Sequence, residues 1–524
     1  VPETRSWQVK VGGWGRSAAR AVAGAGKGAA EFVADEWFFA CQRWRKMPRE
    51  RKRTWQLAAG SAVSGLAVAA GAIAVSGPWD AGQRTAERTL AAAADGSNGG
   101  HHDAAGRAVP HAPAVLAALG GPVSGRGAAP LPTAAGLADA LAPLLKAPEL
   151  GPLRSASVLD VATGREVFGV KQGTPATPAS TVKLATAVAA LSLLGPDHRI
   201  DTTVVADGAK RIVLVGGGDP TLTARPPRTG TGDRPAGLRT LADDTARALK
   251  RRKTTTITLG YDTSAYTGPA LHPIGRNENL APVTALMADE ARLDRSDHGP
   301  APRAGDPAAA AARTFARLLH QRGITVSGAP KSARAPRKAV RIARAHSLPL
   351  GALVERMLTN SDNDIAEALA RQTALAAGRP ASFTGGGDAV RAALAARHLP
   401  LAGATFKDGS GLNRDDKVSA GLLSRLLLDA SSPAHPTLRP VVTGLPVAAF
   451  TGTLSGRYAH TAGAGAVRAK TGTLTGVNTL AGTVVDADGR LLVFAFMTSG
   501  TTDPAGAQRA LDSLATSVAN CGCR

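Results

Sequence analysis

The chain has 524 residues, 44% of them apolar and 19% charged, a balance that excludes a wholly disordered chain, a coiled coil and a disulfide scaffold and suggests two to four domains. Its 62 basic residues exceed the 40 acidic ones by 22, which suits nucleic acid, anionic lipid or an anionic wall polymer without choosing among them. Cys41, Cys521 and Cys523 are the only cysteines, too few for a disulfide framework or a four-ligand zinc site, so no redox compartment follows.

Residues 1–54 carry twelve basic and five acidic side chains and read as a basic cytoplasmic tail. All six tryptophans fall between Trp7 and Trp79, which sets this end apart in material from the rest. From Leu57 to Gly77 there is no charge for 21 residues, enough as a helix to cross about 30 Å of hydrocarbon. Arg43, Arg45, Lys46, Arg49, Arg51, Lys52 and Arg53 lie just before it and hold that side in the cytoplasm. The expectation is a single-pass anchor at the cell membrane, with everything after Trp79 outside. Ala72-Ile73-Ala74 has the small-x-small form of a cleavage site, so secretion after signal cleavage is the competing expectation. A buried Ala-rich helix beside a solvated charge run is the plainer one.

Residues 78–132 are rich in Ala, Gly and Pro and read as a linker. His101 and His102 within it have no partners at metal-ligand spacing and read as solvated; no metal or cofactor is expected. A folded domain is predicted over 133–199 and 346–524, with an inserted subdomain at 200–345. Segments 155–161 and 165–170 flank a turn containing Gly164 and read as a β-hairpin. A second hairpin is predicted from 478–485 and 491–498 around Asp486–Arg490, and 467–473 is a further strand. Two strands from the front and three from the back suggest one antiparallel five-stranded sheet in an α+β fold. Segments 181–194, 347–372 and 419–430 read as helices that supply an α-rich layer.

Three short motifs carry chemistry. Ser180 and Lys183 stand three positions apart in ASTVKLATAVAAL, so on a helix they share a face, one turn apart. A desolvated lysine can take the proton that makes a serine hydroxyl nucleophilic. Ser-x-x-Lys alone is expected about once or twice by chance in a chain of this size. Ser361-Asp362-Asn363 offers a hydroxyl that relays a proton and an amide that both donates and accepts, although helix capping explains the same tripeptide. Lys470-Thr471-Gly472-Thr473 offers a cation, two hydroxyls and a glycine for close approach, although an edge strand guarded by a lysine reads the same way.

Together and in this order the three are the set found in class A β-lactamases and penicillin-binding proteins. Around them, roughly over 133–520, the chain resembles the low-molecular-mass class C penicillin-binding D-Ala-D-Ala carboxypeptidases (peptidase S13). GGGDPTL at 216–222, NLAPVTALMADEARLD at 279–294 and DGSGLNRDDKVSA at 408–420 also look like the family. The resemblance implies the fold of penicillin-binding transpeptidases and serine β-lactamases, and an acyl-enzyme carboxypeptidase mechanism on peptidoglycan stem peptides, with endopeptidase cleavage of peptide cross-links as the further activity to expect. It gives Ser180 as nucleophile, Lys183 as its base, and Ser361 with Lys470 as the relay to the departing D-alanine. Asn363 would hold the substrate amide, Thr471 and Thr473 the terminal carboxylate, and the N–H groups of Ser180 and Thr473 the oxyanion. It also implies inhibition by β-lactams. Asp408 and Ser410 are read as turn formers.

A serine β-lactamase shares the motifs, but no glutamate after Asn363 is matched to the deacylating one of class A enzymes. A non-catalytic, membrane-tethered wall-binding protein is the reading from another class, though a binder has no physical need of the intact Ser180, Lys183, Ser361 and Lys470 set. No Gly-x-Ser-x-Gly elbow occurs, which disfavours an α/β-hydrolase. Nucleic-acid binding is disfavoured because the excess charge is scattered.

Overall fold

The computed structural model describes residues 129–226 and 235–522. The basic tail, the 57–77 segment and the linker up to residue 128 lie outside the described residues. Among the described residues no helix is long and apolar enough to cross a membrane.

In chain order the first elements are α1 (Ala134–Leu141), β1 (Leu153–Asp160), β2 (Glu166–Val170) and α2 (Lys183–Leu194). Then follow β3 (Asp201–Ala206), β4 (Arg211–Val215), α3 (Leu238–Arg251), β5 (Thr256–Asp262), α4 (Pro307–His320), β6 (Thr325–Val326), β7 (Lys331–Ser332) and β8 (Val340–His346). The chain continues through α5 (Leu350–Asn360), α6 (Asn363–Ala376), α7 (Phe383–Ala396), α8 (Ala420–Ser431) and α9 (Arg439–Thr443). It ends with β9 (Val467–Leu474), β10 (Val477–Val485), β11 (Leu491–Ser499) and α10 (Pro504–Ala519).

Both ends of the described chain build one antiparallel sheet in the order β2-β1-β11-β10-β9. β11 shows why its sequence LLVFAFMT is a continuous apolar run. Leu492, Phe494 and Phe496 pack in the core shared with α1 and α10, while Val493, Ala495 and Met497 pack in the core shared with the helical layer. A strand buried on both faces loses the polar alternation of a half-exposed one.

In the helical layer α2 is buried on all sides, from Lys183 through Leu191. It contacts α5, α6, α7 and α8. Its alanines favour the helix and leave little bulk between neighbours, which suits a helix enclosed on every side. The helix expected over 347–372 is broken in two. Ser361 takes a left-handed conformation (φ 56°) at the end of α5, and the Asp362 carboxylate caps α6 by accepting from Ile365 N at 3.0 Å. The residues that cap helices well compete with the backbone inside them, so the Ser-Asp-Asn run ends one helix and starts another.

Between α2 and α5 lies a second sheet, in the order β6-β5-β4-β3-β8 with β7 also on β5. β3 pairs antiparallel with β4 and β8, whereas β5 is parallel to β4, β6 and β7. It has its own core against α3 and α4, centred on Leu214, Leu241, Leu259 and Phe315. The segment between β5 and α4 contains three successive non-glycine residues at positive φ, Asp289, Glu290 and Ala291 (52°, 53° and 55°). Such backbone costs roughly 1–2 kcal/mol per residue and persists only where side chains hold it.

Candidate active site

Ser180 sits in a short 3-10 turn, Ala179–Val182, that runs into α2. Ala179 has φ 49°, so the nucleophile candidate follows a strained residue. Two threonine hydroxyls, from Thr181 and from Thr479 on β10, donate to Pro178 O at 2.7 and 2.8 Å and tie this turn to the sheet. Gly472 on β9 lies against the same turn. A Cβ there would come within 2.1 Å of Thr479 Oγ1, 2.7 Å of Pro178 O and 3.1 Å of Ser180 N. The glycine of the third motif therefore lets the strand press against the Ser180 turn, a tighter demand than substrate access alone.

Lys183 is fully buried and its ammonium meets three oxygens: Ser180 Oγ at 3.0 Å, Asn363 Oδ1 at 2.7 Å and the Ser410 carbonyl at 2.6 Å. Burial pushes its pKa down to about 8, against the opposing pull of Asp408, Glu367, Asp362 and Asp416. Roughly one molecule in ten then holds a neutral amine at pH 7. Two of the three partners are carbonyl oxygens that can only accept. In the neutral amine they take both hydrogens, which leaves the lone pair facing Ser180 Oγ.

Lys470 is equally buried, and donates to Ser361 Oγ at 2.9 Å and to Thr471 O at 2.8 Å. Burial and the nearby Lys183 charge hold it well below its ordinary value. Ser361, Ser180 and Asn363 are half-buried, and Thr473 is exposed. Thr471 Oγ1 lies 3.0 Å from Thr453 Oγ1. Asn363 Nδ2 donates to Asn279 O at 2.9 Å, which fixes the amide with its oxygen toward Lys183. The three predicted motifs thus meet in one place: the first bonds to the second through Lys183 and Asn363, the third to the second through Lys470 and Ser361, and Gly472 abuts the first.

The sequence reading undervalued the 408–411 loop. Asp408 does form a turn, accepting from Ser410 N at 3.0 Å, Gly411 N at 2.6 Å and Asn413 N at 2.7 Å. That turn aims the Ser410 carbonyl at Lys183. Gly411 (φ 83°) fits where a Cβ would meet Ala179 O at 2.0 Å, so the loop also backs the nucleophile turn. His272 Nε2 lies 2.9 Å from Asp408 Oδ2, and its Nδ1 accepts from Ile274 N at 3.2 Å, which assigns the hydrogen to Nε2. Glu367 follows Asn363 but is committed: Oε1 accepts from Gly409 N and Ser410 N at 3.1 and 3.0 Å, and Oε2 pairs with Arg371 at 3.1 Å. The D-G-S-G string was the available signal. A backbone carbonyl, however, has no letter in a sequence.

Comparison with known proteins gives a family. The model of the D-Ala-D-Ala carboxypeptidase 3 (S13) family matches residues 137–298 and 294–520. A carboxypeptidase of Mycobacterium tuberculosis is 37% identical over 438 residues, 81% of this chain and 92% of its own. The carboxypeptidase DacB of Mycolicibacterium smegmatis is 38% identical over 436 residues, again 81% and 92%. Among solved structures, penicillin binding protein 4 from Haemophilus influenzae covers 74% of this chain and 98% of its own, with a TM-score of 0.58 and 22% identity. The same protein complexed with a β-lactam covers 72% and 97%, with a TM-score of 0.54 and 22% identity. The fold is the mixed α/β one of penicillin-binding proteins, and with the family model spanning nearly all of the described region, the chain belongs to the D-Ala-D-Ala carboxypeptidase 3 (S13) family.

Proposed function

We propose that this protein is a serine D-alanyl-D-alanine carboxypeptidase acting on peptidoglycan stem peptides through an acyl-enzyme, with Ser180 as nucleophile. The observation that carries the residue roles is the setting of Lys183, buried, depressed to about 8 and hydrogen-bonded so that its lone pair meets Ser180 Oγ. Ser180 Oγ attacks the carbonyl between the two D-alanines and its proton passes to Lys183 Nζ. The N–H groups of Ser180 and Thr473 take the oxyanion. As the C–N bond breaks, Ser361 gives its proton to the departing amine and draws one from Lys470, 2.9 Å away. Asn363 Nδ2 holds the substrate amide, and Lys470 with the Thr471 and Thr473 hydroxyls binds the terminal carboxylate. Water then cleaves the ester: the Ser180 oxygen takes back the proton held on Lys183, the water's proton restores Lys470 through Ser361, and the acid leaves.

A β-lactam presents a strained amide and a carboxylate to the same groups, so β-lactams acylate Ser180; that the structurally similar H. influenzae protein forms a complex with a β-lactam supports β-lactam binding here. The engaged oxygens of Glu367 favour slow release over β-lactamase turnover. The uncharged 57–77 segment behind its basic cluster supports an enzyme tethered to the cell membrane with this domain outside. Fractionation checks it, and a soluble form beginning near Val75 overturns it.

The experiment for the chemistry is labelling with a fluorescent penicillin together with D-alanine release from a peptide ending in D-Ala-D-Ala. Wild type should do both and Ser180→Ala neither. Labelling that survives the substitution removes Ser180 from its role.

A further inference from the structure

We propose that Glu290, in the segment between β5 and α4, is a positioning residue for Ser361: it holds Arg356 and thereby the end of α5 from which the Ser361 hydroxyl faces Lys470. This rests on the carboxypeptidase reading above.

Glu290 is 2% exposed. Its Oε1 accepts from Arg356 Nη2 at 2.5 Å and its Oε2 from Arg292 Nε at 2.8 Å. Arg356 lies on α5 five residues before Ser361, and its Nη2 also donates to Asp297 O at 2.9 Å and stands 4.0 Å from Asp362 Oδ2. Arg303 Nη1 reaches both the Glu290 carbonyl at 2.6 Å and Asp364 Oδ2 at 2.8 Å. Glu290, Asp362 and Asp364 each bring a carboxylate oxygen to within 4.8 Å of the others. Burial and the Asp362 charge push the Glu290 carboxyl upward against the pull of Arg356, so the guanidinium contacts are what hold the buried cluster together. The positive-φ run Asp289–Ala291 presents this carboxylate, and strained backbone of that kind is kept where the surroundings over-determine it.

The other end of the catalytic turn has separate supports. Asn363 is held by Asn279 O at 2.9 Å, and Asp364 by Ala281 N at 3.0 Å and by Arg303. Loosening Glu290 therefore acts on Ser361 while Asn363 keeps its place. That asymmetry is measurable, because an amide must receive a proton to lose its amine and a thioester loses a thiolate without one.

The test compares hydrolysis of a peptide ending in D-Ala-D-Ala with that of a thioester carrying the same acyl group, in wild type, Glu290→Gln and Arg356→Lys. Arg356 has a side chain 29% exposed, so Arg356→Lys changes a partly solvated group where Glu290→Gln changes a buried one, and circular dichroism of each variant checks its folding. Both variants should lose roughly tenfold to a hundredfold in peptide kcat/KM and about twofold or less on the thioester, a ratio independent of the folded fraction. Glu290→Asp, which keeps a carboxyl group, should recover part of the peptide rate. Equal losses on both substrates, or none, overturn the proposal and leave the carboxypeptidase reading standing. Wild type inactive on the peptide overturns both.

Discussion

The two buried lysines of the cleft are alike in burial and unlike in company. Lys183 has two carbonyl oxygens and a hydroxyl around its nitrogen, and Asp408, Glu367, Asp362 and Asp416 oppose its desolvation. Lys470 has one hydroxyl and one carbonyl, burial and a like charge acting on it, and no carboxylate among the causes of its shift. The first is arranged to lose a proton in a fixed direction. Among the described residues no carboxylate forms an ion pair with the second, and in the proposed mechanism a substrate carboxylate is the group that would restore its charge. On the proposed reading, two identical side chains divide base and anion-binding work according to which neighbours the fold supplies.

The comparison breaks most visibly at Lys183. Lys183→Met should lower the acylation rate by roughly 10²–10⁴, the range for a lost general base, on substrates with or without a terminal carboxylate; quenched-flow labelling reads it. Lys470→Ala should act differently, lowering kcat/KM for a carboxylate-bearing peptide by roughly a hundredfold, about 2–4 kcal/mol, and less for its C-terminal amide, which loses only the proton that Ser361 draws from Lys470. Equal losses on acid and amide would remove Lys470 from carboxylate binding.

Acidity sharpens the same contrast. In the proposed mechanism only neutral Lys183 accepts the Ser180 proton, and burial lowers its pKa from 10.5 to about 8. Acylation should therefore rise roughly tenfold per pH unit at acid pH and level off near 8, followed as the rate of penicillin labelling. A level profile from pH 6 to 9 would contradict the assignment of the base.

Gly472→Ala tests the contact between the halves of the site. Its methyl would run into Thr479 Oγ1 and Pro178 O, so β9 has to move off the Ser180 turn. A loss of roughly tenfold in acylation is expected, smaller than for either lysine because the groups remain and only their spacing changes.

How much of this was legible beforehand varies by interaction. The strands at 155–170 and 467–498 were readable because apolar runs of strand length bracket turns at Gly164 and Asp486–Arg490. The motif residues were readable because three weak patterns occurred in one order. Parallel pairing of β4 with β5 was not, since parallel partners are joined by tertiary packing and leave no local turn to recognise. Nor was the break at Ser361, where capping preference beat a helical pattern that ran on both sides. The partners of Lys183 and Asn363 at Ser410 O and Asn279 O are main-chain atoms, which any residue would provide. Cys521, whose spacing from Cys523 in the sequence leaves both a tight disulfide and two free thiols open, is buried and disulfide-bonded.

The smallest effect on turnover is expected at the opposite sort of buried ion pair, Arg490 with Asp160, on the hairpin turn between β10 and β11. Arg490 Nε and Nη2 meet Asp160 Oδ1 and Oδ2 at 2.6 and 2.7 Å, and Thr163 N donates to Oδ2 at 2.8 Å. Burial raises the Asp160 carboxyl, but Arg490 and Thr163 outweigh it and lower its pKa from 3.8 to about 2. The sign follows: a depressed folded pKa contributes stability above about pH 4, lost as pH falls toward 2. Arg490→Met strands the carboxylate and should cost about 3 kcal/mol at neutral pH, with the acid-unfolding midpoint moving upward. The penicillin acylation rate of the folded fraction should stay within about twofold of wild type, because a fork that holds its carboxylate at both oxygens has no free bond to offer a substrate. A large kinetic loss would mean that stability and chemistry are not divided between the hairpin turn and the cleft.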